Sequence, residues 1–377
     1  MASSSVPPLA GFVALGRAFS LHGEVVAAVP HGSGHINDTY AVTVSQAGAP
    51  VRYIFQRINH TIFRDVPGLM DNILRVTTHQ QARLLAAGGE EASRRSLTVI
   101  LSRTGEPYVR DAQGFWWRAY LFIEKALTYD RIESTAQARE AARAFGEFQR
   151  LLADLPGGRL RETIPGFHDT PRRYAAFEAA TEADSAGRAA SVAADIEFAR
   201  SRRPLASRLT DLLAAGLVPE RVTHNDTKLN NVMIDDVTGA GVCVIDLDTV
   251  MPGLSLYDFG DMVRTGTNAA LEDETDLSKV VARPAMFAAL AEGFLAGCGD
   301  ALNEVERANL VVAGQVMTYE VGLRFLTDHL QGDVYFKTRR PGHNLDRARN
   351  QFALLRSLEA QADDFQAVVD RITKTSA

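Results

Sequence analysis

The tightest constraint on this chain is a polar run, Thr223-His224-Asn225-Asp226-Thr227-Lys228-Leu229-Asn230-Asn231, together with the hairpin pattern downstream of it. Two short apolar stretches, Val232 to Ile234 and Val242 to Ile245, flank a turn at Gly239 to Gly241 and lead into Asp246-Leu247-Asp248. Asn and Asp often mark an ordinary turn, because their side chains bond their own backbone. A hairpin that carries a second acid at its far end asks for more. It arranges Asp226, Asn231 and Asp246 as hard oxygen donors, suited to a small divalent cation and to accepting a proton.

His-x-Asp, four residues, Asn, a hairpin and a further Asp is the order found in kinase catalytic loops. In phosphoryl transfer the protein orients a hydroxyl, holds Mg²⁺ against phosphate oxygens and sets positive charge where negative charge develops. On that pattern Asp226 accepts the hydroxyl proton, and Asn231 and Asp246 are the metal ligands. Lys228, two residues after Asp226, offsets charge on the transferred group, or else is a surface lysine. Asp248 is a reserve metal ligand if its strand continues.

The triplet Asp258-Phe259-Gly260 spells the kinase metal-binding motif literally, yet it comes after the loop Met251 to Leu254 and not after a strand. Asp258 is therefore expected to cap the next helix or to bond backbone amides of the catalytic loop.

Upstream, strands are expected at Val25 to Val29, Thr39 to Ser45, Val51 to Ile58, Leu97 to Ser102 and Phe115 to Ile123, with one helical interval over Pro67 to Ala87. Between the first two strands, Gly32, Ser33, Gly34 and His35 form either a glycine-rich flap over ATP phosphates or a plain hairpin turn. The usual phosphate-binding Lys of the third strand is missing. Arg57 stands in the comparable place, as a phosphate clamp or as an exposed strand residue. No Glu partner for it occurs before Glu90, and Asp71 is the substitute.

From Glu133 onward the periodicity is helical, over Thr135 to Leu152, Arg188 to Ala215, Ala285 to Leu295, Glu304 to Leu330 and Leu345 to Val369. The order predicts an α+β chain with a β-rich, nucleotide-binding lobe over 1–123 and a larger helical, catalytic and acceptor-binding lobe over 124–377. With no Gly/Ser linker between them, the lobes are expected to meet around a cleft.

Composition removes other classes. A net charge of −6 leaves no basic surface to displace the counterions of a nucleic acid. No segment reaches the roughly 20 apolar residues of a membrane span. Cys243 and Cys298 build neither a disulfide framework nor a metal site. The first ten residues contain no Lys or Arg, so no signal peptide is read and a cytoplasmic chain is expected. No feature specifies an oligomeric state.

With these residues in view, the chain resembles the aminoglycoside phosphotransferase and choline kinase superfamily, and within it is most similar to the N-acetylhexosamine 1-kinases. The matching segments are GSGHINDTY, FQRIN, VPGLMDNI, HNDTKLNNVM, DLDTVMPGLSLYDFGD and GLRFLTDHLQGDVYF. The resemblance implies a two-lobed protein-kinase-like fold and ATP- and Mg²⁺-dependent phosphorylation of the anomeric hydroxyl of an N-acetylhexosamine. It implies Asp226 as base, Asn231 and Asp246 on Mg²⁺, and Arg324 and Tyr335 on the sugar. For the last two, an ion pair of Arg324 with Glu320 and a packed aromatic are the plain alternatives.

Two rivals stand beside this reading. One is a kinase for choline, ethanolamine, homoserine or an aminoglycoside, whose pocket needs carboxylates or aromatic faces where the acceptor is a cation. The other is a catalytically silent nucleotide-binding scaffold, suggested by the missing strand Lys. A protein kinase is disfavoured, since no activation segment comes after Asp246.

Overall fold

Alternation of apolar and polar residues in the first third builds an antiparallel sheet, and it is the register of that sheet that aims the charged side chains. The computed structural model describes residues 7–32, 36–89 and 91–375. Its elements begin with α1 (Leu9–Ala18), β1 (Glu24–Pro30), β2 (Asp38–Gln46), β3 (Ala49–Ile58), α2 (Val66–Ala86) and the single turn α3 (Ala92–Arg95). Next come β4 (Val99–Ile100), β5 (Val109–Arg110), β6 (Trp116–Leu121) and β7 (Ala126–Leu127).

The middle of the chain forms α4 (Thr135–Leu151), α5 (Thr170–Ala183), α6 (Ala193–Ser201), α7 (Arg203–Ala214), β8 (Arg221–Thr223), β9 (Val232–Asp235), β10 (Gly241–Val244) and β11 (Met251–Gly253). The chain closes with α8 (Ser255–Thr267), α9 (Pro284–Cys298), α10 (Glu304–Ala308), α11 (Leu310–Leu330), α12 (His343–Ala360) and α13 (Ala362–Thr375).

Two compact units result. One holds the described residues up to Ala126 together with Leu155–Ile164 and Val242–Val250; the other holds Leu127–Asp154, Pro165–Gly241 and the chain from Met251 on. Asp246 and Asp248 thus belong to the first unit, and Asp226 and Asn231 to the second.

In the first unit the strand order is β1-β2-β3-β6-β4, with β5 also on β6. Side chains alternate across a strand. One face therefore carries Tyr40, Val42, Val44, Tyr53, Phe55, Trp117 and Ala119, covered by Phe12, Leu15 and Phe19. These last come from α1 and its end, a helix additional to the single interval expected in this third. On α2, the Asp65 side chain caps the Gly68 amide at 3.0 Å. Buried Asn72 fastens two later segments of the unit, donating to the carbonyls of Arg161 at 2.8 Å and Val250 at 3.1 Å.

In the second unit, α11 is buried along most of its length. Its Tyr319, Leu323 and Leu326 share a core with Phe177, Phe198 and Phe352. The helical stretch expected over Arg188 to Ala215 is broken: α6 ends at Ser201, and Pro204 opens α7, where a missing N–H costs nothing. An unexpected helix, α5, begins at Thr170, its amide of Arg172 capped by Asp169 at 3.0 Å. Cys243 and Cys298 are buried free thiols. Among the described residues no helix is long and apolar enough to cross a membrane.

Candidate active site

β8 and β11 pair antiparallel, Thr223 opposite Met251, and the chain leaves β8 directly into the polar loop. A Cβ at Gly253 would lie 2.3 Å from Thr223 Oγ1 and 2.8 Å from Asn225 Oδ1, so only glycine fits beside the loop. His224 is buried edge-on against Phe145 at 5.3 Å and Phe148 at 6.0 Å. Asn225 turns the chain at φ 65°, a left-handed conformation that Asn tolerates better than most residues.

Three of the expected site residues come together in this loop. Lys228 Nζ lies 2.8 Å from Asp226 Oδ1. Asn231 Nδ2 donates to the Asp226 carbonyl at 2.8 Å and to its Oδ2 at 3.3 Å. Burial opposes ionisation of Asp226, but the charge and hydrogen bond of Lys228, together with His224 and Arg264, hold the carboxyl below the usual carboxylate range. The same pairing raises Lys228. The result is an ionised carboxylate, 26% exposed, whose partner cation is itself 46% exposed and able to move.

The loop backbone is held by acids from α8. Asp258 accepts from the amides of His224 at 3.0 Å and Asn225 at 2.7 Å, and from Gln149 Nε2 at 2.6 Å. That is the backbone-bonding role expected for it. Phe259 packs in the core against Phe287 and Phe294. A Cβ at Gly260 would stand 2.4 Å from the Ala313 carbonyl, so the third residue is Gly because α8 and α11 nearly touch. Each letter of the Asp-Phe-Gly triplet has a structural reason. One turn on, Asp261 accepts from the Thr227 amide at 3.0 Å and pairs with buried Arg264 at 2.8 Å.

Asp246 lies in the first unit, at φ 58° and ψ 56°, just before the single turn Leu247–Thr249. The strand does not continue, which removes the geometric basis for Asp248 as a reserve metal ligand. Asp248 instead pairs with Arg118 and accepts from Asn37 Nδ2 at 2.6 Å. Arg118, 1% exposed, also donates to Gln56 Oε1 at 2.9 Å. Burial works against its charge, while Asp248 and, more weakly, Asp246 raise its pKa.

Arg57 points elsewhere. It shares a sheet face with Tyr53 and Phe55, whereas Gln56 and its cross-strand partner Arg118 occupy the other. Its Nη2 is 2.6 Å from Asp38 Oδ2, and its guanidinium lies 4.8 Å from the Phe115 ring. Asp38, not Asp71, is its acid partner. Arg57 is thus held by Asp38, and the strand cation beside the Asp246–Asp248 segment is Arg118. A charge inside the apolar run Trp116-Trp117-Arg118-Ala119-Tyr120, buried from Trp117 to Tyr120, is the signal that points to it.

Gly32, at φ 76°, sits in the 31–37 connection between β1 and β2; Ser33, Gly34, His35 and also Glu90 lie outside the described residues. Arg324 on α11 stacks on Phe167 at 5.4 Å and Phe336 at 5.6 Å. Glu320, its expected partner, is instead taken by His168 and Thr170. Arg173 donates to the Phe167 carbonyl at 3.0 Å and leaves a buried Nε without a partner among the described residues. Its pKa is lowered, first by burial and then by Arg324, so the two cations sit within range of one another. Tyr335 is 67% exposed, edge-on to Phe336 at 4.7 Å.

Asn231 carries a hard oxygen of the kind that suits a metal ion arriving with phosphates. No group of three or more His, Cys, Asp or Glu placed to hold a metal occurs among the described residues. A Mg²⁺ shared with a nucleotide needs only one or two protein oxygens. Because the amide of Asn231 is turned so that its nitrogen meets Asp226, its Oδ1 is presented away from that contact.

The sequence model of the phosphotransferase enzyme family matches residues 27–297. The chain belongs to this family. As a member, this phosphotransferase is a small-molecule kinase. Its fold is the α+β protein-kinase-like one. An aminoglycoside phosphotransferase from Alicyclobacillus acidocaldarius shares it with a TM-score of 0.57 at 14% identity, over 100% of this chain and 98% of that one. A spectinomycin phosphotransferase, solved with ADP and spectinomycin, aligns with a TM-score of 0.52 at 11% identity, over 95% and 99%. A choline kinase from Cryptosporidium parvum aligns with a TM-score of 0.51 at 13% identity, over 91% of each chain.

Proposed function

We propose that this phosphotransferase uses ATP and Mg²⁺ to phosphorylate the C1 hydroxyl of an N-acetylhexosamine. Asp226 accepts the hydrogen bond of that hydroxyl and takes its proton as the oxygen attacks the terminal phosphorus. Asn231 and Asp246 would hold Mg²⁺, which supplies neutralisation of phosphate charge. Lys228 leaves Asp226 to meet the transferred group. On the sequence pattern, Gly32, Ser33, Gly34 and His35 are the residues that would meet the phosphates. Transfer is direct, and no covalent enzyme intermediate is needed.

The observation that carries the acceptor class is the pair of cations beside Phe167. Arg324 has no carboxylate bonded to it among the described residues, and Arg173 stands close by. Phe167 precedes His168, whose ring bonds the Asn225 carbonyl at 2.9 Å, so this pair adjoins the loop that carries Asp226. Two positive charges repel choline or an aminoglycoside, and they donate readily to sugar hydroxyls and to an amide carbonyl. Tyr335, in the loop after α11 and edge-on to Phe336, offers a ring and a hydroxyl. The unpartnered Nε of Arg173 also favours a second reading, an acceptor that bears a carboxylate, such as a sugar acid.

The test is coupled ADP release with ATP and Mg²⁺ across N-acetylglucosamine, N-acetylgalactosamine, glucose, galactose, glucuronate, choline, homoserine and kanamycin, with phosphorus NMR of any product. An anomeric phosphate doublet from an N-acetylhexosamine supports the proposal. Preference for glucuronate moves the acceptor to the second reading. Turnover of choline or kanamycin alone would sink both.

A further inference from the structure

A buried ion pair stands directly behind the catalytic loop, and phosphoryl transfer itself does not require it. His168 and Glu320 are both buried. His168 Nδ1 lies 2.8 Å from Glu320 Oε1, and its Nε2 lies 2.9 Å from the carbonyl oxygen of Asn225. The second oxygen of Glu320 accepts from Thr170 Oγ1 at 2.6 Å. A carbonyl can only accept, so Nε2 must carry a proton. The contact between Nδ1 and Oε1 needs a proton as well. Imidazole is the stronger base by roughly two pH units in water, so that proton belongs to the ring. The geometry therefore requires an imidazolium matched by a carboxylate. Burial penalises both charges, but each is held by the other, with His168 raised and Glu320 lowered.

The carbonyl so gripped belongs to Asn225, the left-handed residue at φ 65°. Asn adopts that conformation more readily than other residues with side chains, and here the peptide groups on both sides of it are held. The amide of Asn225 is fixed by Asp258 at 2.7 Å. Its carbonyl is fixed by His168, and the peptide it ends begins Asp226. We infer that His168 is a positioning residue: as an imidazolium braced by Glu320, it fixes the Asn225–Asp226 peptide and thereby the direction in which Asp226 presents its carboxylate. The inference rests on Asp226 as the group that orients the acceptor.

The neighbours permit a clean reading of pH. From α8 the pair faces Asp261 and Tyr257, from α5 Arg173, and from α11 Arg324. Asp261 is already engaged by Arg264, and burial keeps the Tyr257 phenol neutral beyond its ordinary range. His168 is then the member of this cluster that titrates on the basic side. Its folded pKa lies above the ordinary 6.5, so the brace is complete below that value and is lost as pH rises through the folded pKa.

The experiment tracks both ring nitrogens of His168 by ¹⁵N NMR through pH in the full chain. Alongside it, kcat is measured for the best acceptor of the panel, or for ATP hydrolysis where the panel yields none. Both nitrogens are expected to be protonated at neutral pH, and the loss of one proton should coincide with a basic limb of kcat. Glu320→Gln should move the NMR titration and that limb downward together, with the KM for ATP unchanged. His168→Gln should lower kcat about tenfold or more, as misplacement of a reacting group does, and should lack the limb. A neutral His168 at pH 7, or a limb that stays in place when the NMR titration moves, overturns the inference. If His168→Gln does not fold, the wild-type titration and its kcat profile still decide. Full activity in Asp226→Asn would sink the role of Asp226 and leave the His168 titration intact, so the two failures are distinguishable.

Discussion

Replacing Asp258 separates two roles that its sequence context confuses. Both of its oxygens are occupied by the amides of His224 and Asn225 and by Gln149 Nε2. In Asp258→Asn the remaining oxygen keeps one backbone amide and the new NH₂ faces the other, donor against donor. Gln149 can turn, because its own Oε1 is buried without a partner and can accept from that NH₂. The net loss is one buried backbone N–H left unsatisfied, about 1–3 kcal/mol. Burial also raises the pKa of Asp258, so removing its charge relieves some desolvation and the lower end is expected. Asp258→Ala strands both amides and leaves a void, roughly twice the cost.

The assay pairs urea denaturation with a Mg²⁺ titration of kcat. Asp258→Asn should lower the denaturation midpoint and leave the Mg²⁺ requirement within about twofold of wild type, whereas Asp246→Asn should do the reverse. A Mg²⁺ requirement raised tenfold by Asp258→Asn at unchanged stability would refute the assignment and make the literal triplet the metal site.

Further outcomes can be checked with the same preparations. Asp226→Asn should abolish turnover while ATP affinity, read by calorimetry, stays near wild type. Lys228→Met removes the cation that holds Asp226 low, so the acid limb of kcat/KM should move to higher pH; a limb that does not move refutes the pairing. Arg118→Met strands the buried carboxylate of Asp248 and should cost about 3–5 kcal/mol in denaturation, a loss that the double variant with Asp248→Asn largely restores. Arg324→Ala should raise the acceptor KM at least tenfold and leave the KM for ATP alone, as loss of a bidentate donor does.

What the sequence could reveal depends on whether the physics is local. The loop from His224 to Asn231 and the hairpin after it are local, and their spacing was legible. So was Asp258, because an acid at the start of a helix that follows a Pro/Gly loop is favoured near free backbone amides. The alternation Tyr53-Ile54-Phe55-Gln56-Arg57 sets Arg57 with the apolar face, a parity that is local and readable. Arg118 meets Asp248 across 130 residues, and His168 meets Glu320 across 152. Neither pair leaves a pattern in the chain. Helix α1 is ten residues long and its Phe12 finds its partners, Tyr40 and Trp117, only on the later strands β2 and β6.

The polar groups around the loop obey one rule of sign. Amides of His224, Asn225 and Thr227 point at carboxylates, Asp258 and Asp261, while the carbonyl of Asn225 points at a cation, His168. Each buried charge is thus satisfied by main chain or by a counter-ion, which a low-dielectric interior demands. The carbonyl of Asp226 receives Asn231 instead, and among the described residues its side chain bonds groups that a substrate complex can displace: a half-exposed Lys228 and a 3.3 Å contact with Asn231. The backbone on either side is therefore held while the carboxylate is not committed. A base that must take a proton from a bound hydroxyl needs that combination, since reorganising a fixed carboxylate during transfer would add to the barrier that preorganisation removes.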